Sequence, residues 1–510
     1  MADAPLIVGV SGLRGIVGES LTPEVAVRYA GALGSWLNER APGCAVVVAR
    51  DGRAHGRMLY DAAISALMAT GCEVIPAGVA MTPSVGAYLH SMEAPPCAGV
   101  IVTASHNPQQ WNGLKALVST DLIDPETPDA GAAAPPVSVA AEIIERFESG
   151  RIDWCVREEM TEPEREMDIT TPHCVGVRDA VMQRCGHFDE SRMARGLFGE
   201  TGRPWRVVVD SVNASGARAV GVFFRSCNAR AIQIAGDESG LFPHVPEPTA
   251  ENLAGEGGLC DAVPGLRADI GFAQDPDADR LAIVDEKGRY IGEEYTLVLC
   301  AEALLSARDG GDGEAAPVLV ANLSTSRMID DIAAKYGGRV VRTPVGEANV
   351  VEAMKRLRAE GEDVVLGGEG NGGVIWPEVT YVRDSLGAMA LVLSLMARTG
   401  KTVSELVAGI DACSPGGGGY AIVKRKVDIP SKAAAGPAVE KVARHYGGDR
   451  GRAAGAAVDL QDGVRVDFRE RGVWVHVRAS NTEPIMRLIA EAPTPAAAEA
   501  ILAEVAGVIG

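Results

Sequence analysis

The sequence has no excess of basic residues. Its 48 Lys and Arg stand against 68 Asp and Glu, a net charge of −20 over 510 residues. That balance argues against a nucleic-acid-binding surface, which needs a basic face, and it favours solubility. It also means that an anionic substrate needs a local basic funnel. The ten cysteines include no CxxC pair and no metal-ligand spacing; they read as reduced thiols, mostly buried, of a cytoplasmic protein. No basic stretch precedes an apolar run near the first residues, so the pattern of a secretory leader is missing. Long apolar runs are also missing. The longest, 386–397, lies between Asp384 and Arg398 and fits a buried helix rather than a membrane span. With 47% hydrophobic and 23% charged residues, the composition is that of an ordinary globular chain, and its length implies three or four domains.

Three stretches share one layout of strand, loop, helix and second strand. The first strands are 45–50, 205–210 and 317–321. Loops 51–53, 211–213 and 322–326 follow them, and the second strands are 72–76, 229–234 and 338–342. Unequal separations argue against a solenoid. The layout implies three related α/β domains, with chemistry to be sought at the carboxyl ends of strands. The last part differs. Pro415 and four following glycines read as a hinge, 456–477 alternates in the manner of antiparallel strands, and a final helix covers about 496–505. The expected fold class is α/β: three related α/β domains with mixed sheets plus a C-terminal α+β domain around a central cleft. The expected bounds are 1–165, 166–291, 292–413 and 414–510. Residues 124–137, rich in Pro, Ala and Asp, are expected to be an exposed loop or insertion leading into a helix that ends near Gly150.

Five loops carry candidate chemistry. Gly99-Val100-Ile101-Val102 reads as a buried strand, stopped at Thr103 and turned by Asn107-Pro108. Ser105 sits at that corner beside His106, either as a turn serine or as a nucleophile that can carry a covalent group. Lys115 follows shortly, after an Asn112-Gly113 turn. The loop 8–15, with Arg14, spaces its glycines GxxGxxG and is not the dinucleotide fingerprint GxGxxG. The sharpest signal is Asp275-Pro276-Asp277-Ala278-Asp279-Arg280. Three carboxylates so close repel one another unless a cation neutralises them, and hard divalent ions take oxygen ligands. A calcium EF-hand is excluded, because Arg280 occupies the sixth position, where that loop needs glycine. In Gly367-Gly368-Glu369-Gly370-Asn371-Gly372-Gly373, glycines admit close backbone approach, and a carboxylate with an amide can hold vicinal hydroxyls. Finally, Arg478-Ala479-Ser480-Asn481-Thr482-Glu483-Pro484 offers an arginine, two hydroxyls and an amide as a phosphate cradle.

In order along nearly the whole chain, these loops resemble the signatures of the α-D-phosphohexomutase family: SGxRG, TASHNP with YNGxK, DxDxDR, a sugar loop commonly GEMSGH or GEQSGH, and RxSxTEP. The resemblance implies a phosphoserine at Ser105 that donates its phosphoryl group to a hexose monophosphate through a sugar 1,6-bisphosphate, which also serves as activator. It implies one Mg²⁺ per chain, bridged by the phosphoserine at Ser105 and held by Asp275, Asp277 and Asp279. Arg14 would face the phosphoserine and Arg280 a phosphate. Lys115 would be a proton shuttle or phosphate contact, and His106 would support the loop or assist proton transfer. Glu369 and Asn371 would read sugar hydroxyls. Arg478, Ser480, Asn481 and Thr482 would grip the non-reacting phosphate.

Two departures stand out. Asn371 and Gly373 replace the sugar loop's serine and histidine, a GEGNGG form that looks like the branch including archaeal-type phosphoglucosamine mutases. Pro344 stands where many members carry a lysine, which puts a second basic shuttle in doubt, although Arg342 could substitute. The expected reaction converts glucosamine 6-phosphate to glucosamine 1-phosphate. A phosphomannomutase/phosphoglucomutase of dual specificity is the runner-up, a phosphatase on the same metal site a third reading, and a sugar-phosphate-binding homologue without turnover the non-enzyme one. The expected partner is a small sugar phosphate, with no nucleic acid and no membrane; monomer and homodimer both fit.

Overall fold

Strands rich in Val, Ile and Ala build the molecule around four large sheets, beside a small two-stranded one of Gly199–Glu200 and Arg203–Pro204. In this computed structural model the described residues are 5–91, 97–123, 131–163, 165–185, 199–200, 203–308, 315–429, 431, 434–453, 455–479 and 485–510. Ala45–Arg50 (AVVVAR) shows why the strands form: branched side chains are buried on both faces, as a parallel strand between helical layers requires.

The three α/β copies share one topology. In the second, Ala231–Ile234, Val207–Asp210 and Ile270–Gln274 run parallel, and Leu281–Asp285 returns antiparallel. The third copy repeats this order with Arg339–Thr343, Pro317–Asn322, Asp363–Glu369 and Gly373–Ile375. The first does so with Glu73–Val79, Ala45–Arg50, Ala98–Val102 and Trp111–Val118, then adds the hairpin Ile7–Gly9 and Gly12–Ile16 at the edge. Three candidate loops thus occupy one topological position. Residues 103–110, 275–280 and 370–372 each turn the last parallel strand into the antiparallel one. The fourth sheet is antiparallel throughout, in the order Ala421–Asp428, Ile485–Ala492, Val473–Ala479, Val464–Phe468, Ala457–Asp459. Helices Ala435–Gly447 and Pro495–Ile509 pack on it. The fold is therefore three related α/β domains plus a C-terminal α+β domain.

The apolar run after Asp384 forms helix Ser385–Thr399. Its first thirteen residues, through Ala397, are all buried. Asp384 caps it by accepting from Leu386 N at 2.9 Å, and Gly400 ends it in the left-handed conformation. Among the described residues no helix is long and apolar enough to cross a membrane. All ten cysteines are free thiols, six of them buried.

One expectation is corrected. Residues 124–130 lie outside the described residues, but 131–135 are buried rather than exposed. Small alanines let the backbone pass close to the sheet, where Ala133 forms an antiparallel bridge with Val118. The helix that follows, Val137–Ser149, ends at Gly150 in the left-handed conformation.

Candidate active site

Ser105 sits at the corner with φ 48°, a conformation that costs a non-glycine residue about 1–2 kcal/mol. Hydrogen bonds hold it there. Its N donates to Thr103 Oγ1 at 2.9 Å, and Thr103 Oγ1 in turn donates to Asp51 Oδ2 at 2.7 Å. Fully buried Arg53 bonds Asp51, the Ser105 carbonyl, and the carbonyls of Pro108 and Trp111. The Ser105 hydroxyl donates to Asp275 Oδ2 at 2.8 Å and lies 3.3 Å from His106 Nδ1. Burial, with Arg280 and Arg14 nearby, pushes the His106 imidazole down to about 2, so it is neutral.

Asp275, Asp277 and Asp279 are fully buried, with one carboxylate oxygen of each within 4.8 Å of the others. Ala278 at φ 56° makes the tight turn that faces them together. Thr82 Oγ1 donates to Asp277 Oδ2 at 2.8 Å, while Lys115 Nζ at 2.8 Å and Arg383 Nη2 at 2.6 Å both bond Asp279 Oδ2. The other oxygens, Asp277 Oδ1 and Asp279 Oδ1, are buried without a hydrogen-bond partner. Burial and the charges of Asp279 and Asp277 raise the Asp275 carboxyl well above its usual range. Burial works against the Asp279 carboxylate too, but Arg383, Lys115 and Arg280 hold its pKa far below the usual range. Orphaned anionic oxygens on a three-carboxylate turn fit a hard divalent cation, which supplies both charge and ligation.

Four cations ring the triad. Arg14 Nη1 donates to Asn107 Oδ1 at 3.1 Å. Arg280 N donates to Asp275 Oδ1 at 3.1 Å, and its buried Nε makes no hydrogen bond. Lys115 lies 3.5 Å from Asp277 and 4.0 Å from Glu347. Burial would lower its pKa, but Asp279, Asp277 and Glu347 raise it, so the ammonium stays charged. These cations are concentrated at the triad, although the chain as a whole carries a net charge of −20.

Arg383 is the fourth cation, and the sequence reading missed it. Its Nη1 donates to Glu369 Oε2 at 2.8 Å, and its Nε lies 3.4 Å from Glu347 Oε2. Burial disfavours the guanidinium, yet Asp279, Glu347 and Glu369 raise its pKa well above the usual value. The available signal was an arginine three residues before a long apolar run, because a charge at the head of a buried helix must find partners. Arg342 is corrected. Its guanidinium bonds the carbonyls of Asn322, Thr325 and Ser326 and the Asp330 carboxylate. It thereby satisfies the loop behind the site instead of substituting for the lysine.

Glu369 is held on its other oxygen by Asn322 Nδ2 at 2.8 Å and Gly346 N at 3.2 Å. Asn371 Nδ2 lies 3.4 Å from Glu369 Oε2, and Asn371 Oδ1 accepts from Gly373 N at 3.1 Å. Arg478, next to last in strand Val473–Ala479, makes an ion pair with Asp462, Nε to Oδ2 at 3.1 Å. The same Asp462 oxygen accepts from Val345 N at 3.1 Å, so this end of the fourth sheet stands against the Pro344 loop. Ser480, Asn481 and Thr482 lie outside the described residues.

A buried serine hydroxyl on an aspartate triad, ringed by cations and joined through Arg383 to a carboxylate–amide loop, has the parts a phosphoryl-transfer site uses. The chain belongs to the phosphoglucomutase/phosphomannomutase family of phosphohexomutases. The family's α/β/α domains I, II and III match residues 5–129, 194–288 and 293–412, and its C-terminal domain matches 422–508. A phosphoglucomutase/phosphomannomutase of Thermococcus kodakarensis is 34% identical, over 95% of this chain and 94% of its own length. A probable phosphoglucosamine mutase of Methanopyrus kandleri is also 34% identical, over 95% and 93%. A phosphopentomutase of Thermococcus kodakarensis is 30% identical, over 95% and 94%. The crystal structure of a Burkholderia thailandensis member superposes with a TM-score of 0.74 at 25% identity, covering 99% of this chain and 98% of that one.

Proposed function

We propose that this protein interconverts hexose 6-phosphates and hexose 1-phosphates through a phosphoserine at Ser105 and a sugar 1,6-bisphosphate, with glucosamine 6-phosphate as its substrate. The observation that carries the reading is the Ser105 hydroxyl on Asp275, in a triad with two unpartnered oxygens. Bound by Asp275, Asp277, Asp279 and a phosphoryl oxygen on Ser105, Mg²⁺ would neutralise charge where the phosphoryl group transfers. Arg14, Arg280 and Lys115 bind the remaining phosphoryl oxygens as fixed cations. In the forward step the Ser105 Oγ–P bond breaks, a bond from phosphorus to the sugar hydroxyl oxygen forms, and the proton of that hydroxyl passes to the released Ser105 Oγ, restoring the serine hydroxyl. The sugar bisphosphate then turns over and returns its other phosphoryl group to Ser105. His106, beside Oγ, supports the serine, and Lys115 serves as a phosphate contact. Glu369 and Asn371 orient the sugar, and Arg478 with residues 480–482 anchors the distal phosphate.

The GEGNGG loop and the name of the Methanopyrus relative favour the amino sugar. The names of the two Thermococcus relatives set the alternatives. The test is a mutase assay of the pure protein with glucosamine 6-phosphate, mannose 1-phosphate, glucose 1-phosphate and ribose 1-phosphate, each with Mg²⁺ and a trace of the matching bisphosphate. The expected result is fastest turnover of the amino sugar. Equal or faster rates on mannose and glucose, or on ribose, move the assignment to those substrates. Phosphate release without a bisphosphate requirement marks a phosphatase. No interconversion by protein phosphorylated on Ser105 overturns the mutase reading.

A further inference from the structure

Besides Asn371, two glycines make this loop differ from GEMSGH and GEQSGH, and the space beside each is filled from elsewhere. A Cβ at Gly373 would lie 2.3 Å from Arg383 Cδ and 3.1 Å from its Cγ. A Cβ at Gly370 would lie 2.1–2.4 Å from the Glu294 carboxylate. Both are far inside van der Waals contact. Neither glycine is needed for its backbone, since Gly372 alone of the three has a positive φ. Any side chain at Gly373 would need the volume that Arg383 occupies, and any side chain at Gly370 the volume of the Glu294 carboxyl.

Arg383 is fixed there from both sides. Its own N donates to Glu347 Oε1 at 3.0 Å. The next residue, Asp384, caps the buried helix and lies 3.0 Å from His173 Nε2, whose Nδ1 is 3.0 Å from Ser84 Oγ. The guanidinium then joins two loops. One nitrogen holds Asp279, whose second oxygen is an orphan of the triad; the other holds Glu369. A planar guanidinium fixes the angle between two carboxylates, which an ammonium does not.

Resting on the reading of the triad as the metal loop and Glu369 as the sugar reader, we propose that Arg383 is a positioning residue that registers the sugar loop against the metal loop, so that hexose-phosphate and divalent-cation binding are coupled through it. The coupling is reciprocal: whatever Mg²⁺ does to sugar affinity, the sugar does to Mg²⁺ affinity.

The experiment is calorimetry on the full chain, unphosphorylated at Ser105 so that nothing turns over. Glucosamine 6-phosphate is titrated with and without saturating Mg²⁺, and Mg²⁺ with and without the sugar phosphate. The wild type is expected to show about fivefold or greater coupling. Arg383→Lys keeps the charge and loses the fork; it should bind the sugar phosphate about tenfold more weakly and lose most of the coupling. Gly373→Ala leaves Arg383 in place but displaces its side chain, and should lose the coupling likewise. The double variant should be no worse than either alone, because both changes break one contact. If Gly373→Ala and Arg383→Lys melt as the wild type does and keep its affinities and coupling, the inference is overturned alone. A wild type that binds Mg²⁺ but none of the four sugar phosphates overturns the proposed function, and the inference with it.

Discussion

Glu294 shows how a single side chain can tie the site to stability. Its Oε2 accepts from Ser326 N at 2.9 Å, while Oε1 is buried without a partner behind the sugar loop. Burial pushes the carboxyl up to about 8 from 4.5. The folded chain thus keeps a proton there that the unfolded chain gives up near 4.5. Stability from this group therefore falls as pH rises from about 4.5 to about 8. Glu294→Gln keeps the acceptor and removes the titration. Its melting temperature relative to wild type is expected to climb across that interval; a constant difference would contradict the assignment. At this scale the sequence made Ser105 and the three aspartates legible, because their chemistry is packed into single loops. Arg383, Glu347, Asn322, Thr82 and Arg53 were not legible. Each acts on partners tens to hundreds of residues away, such as Arg383 on Asp279 and Thr82 on Asp277, and no local pattern records such a pairing.

Elements were easier to read than contacts. Strand Ala45–Arg50 emerges at its expected bounds, and the long apolar run is the buried helix it was read to be. Strand ends elsewhere move by a few residues: the strand expected at 72–76 is Glu73–Val79, which runs past Pro76 because only the edge of the sheet can spare its N–H. The stretch 131–135 misled because alanine and proline suit both an exposed loop and a close backbone passage. Helix Ser385–Thr399 depends on its cap more than most, since water cannot satisfy its first turn. Asp384→Ala removes the bond to Leu386 N and the partner of His173 in one step. It is expected to cost about 2–4 kcal/mol in denaturant unfolding, with Asp384→Asn costing less because it preserves the cap. An unchanged midpoint would show that this junction carries no load.

Across the whole molecule, one topological position has been used three times. The turn between the last parallel strand and its antiparallel return supplies the serine, the acid triad and the loop after Glu369. Ser105–Asp275 and Lys115–Asp279 join the first copy to the second, and Arg383 joins the second to the third. Net charge −20 and a cation-ringed site are compatible because the cations are concentrated where these loops meet. The central claim is that the phosphoryl group passes through Ser105. Its most direct test is to incubate the protein with Mg²⁺ and glucose 1,6-bisphosphate carrying labelled phosphate, map the label by peptide mass, then chase with unlabelled hexose monophosphate. The account predicts label on Ser105 that leaves with the sugar during the chase, and no exchange once Mg²⁺ is chelated. Isomerisation that proceeds while Ser105 stays unlabelled, or while its label never leaves, would contradict it.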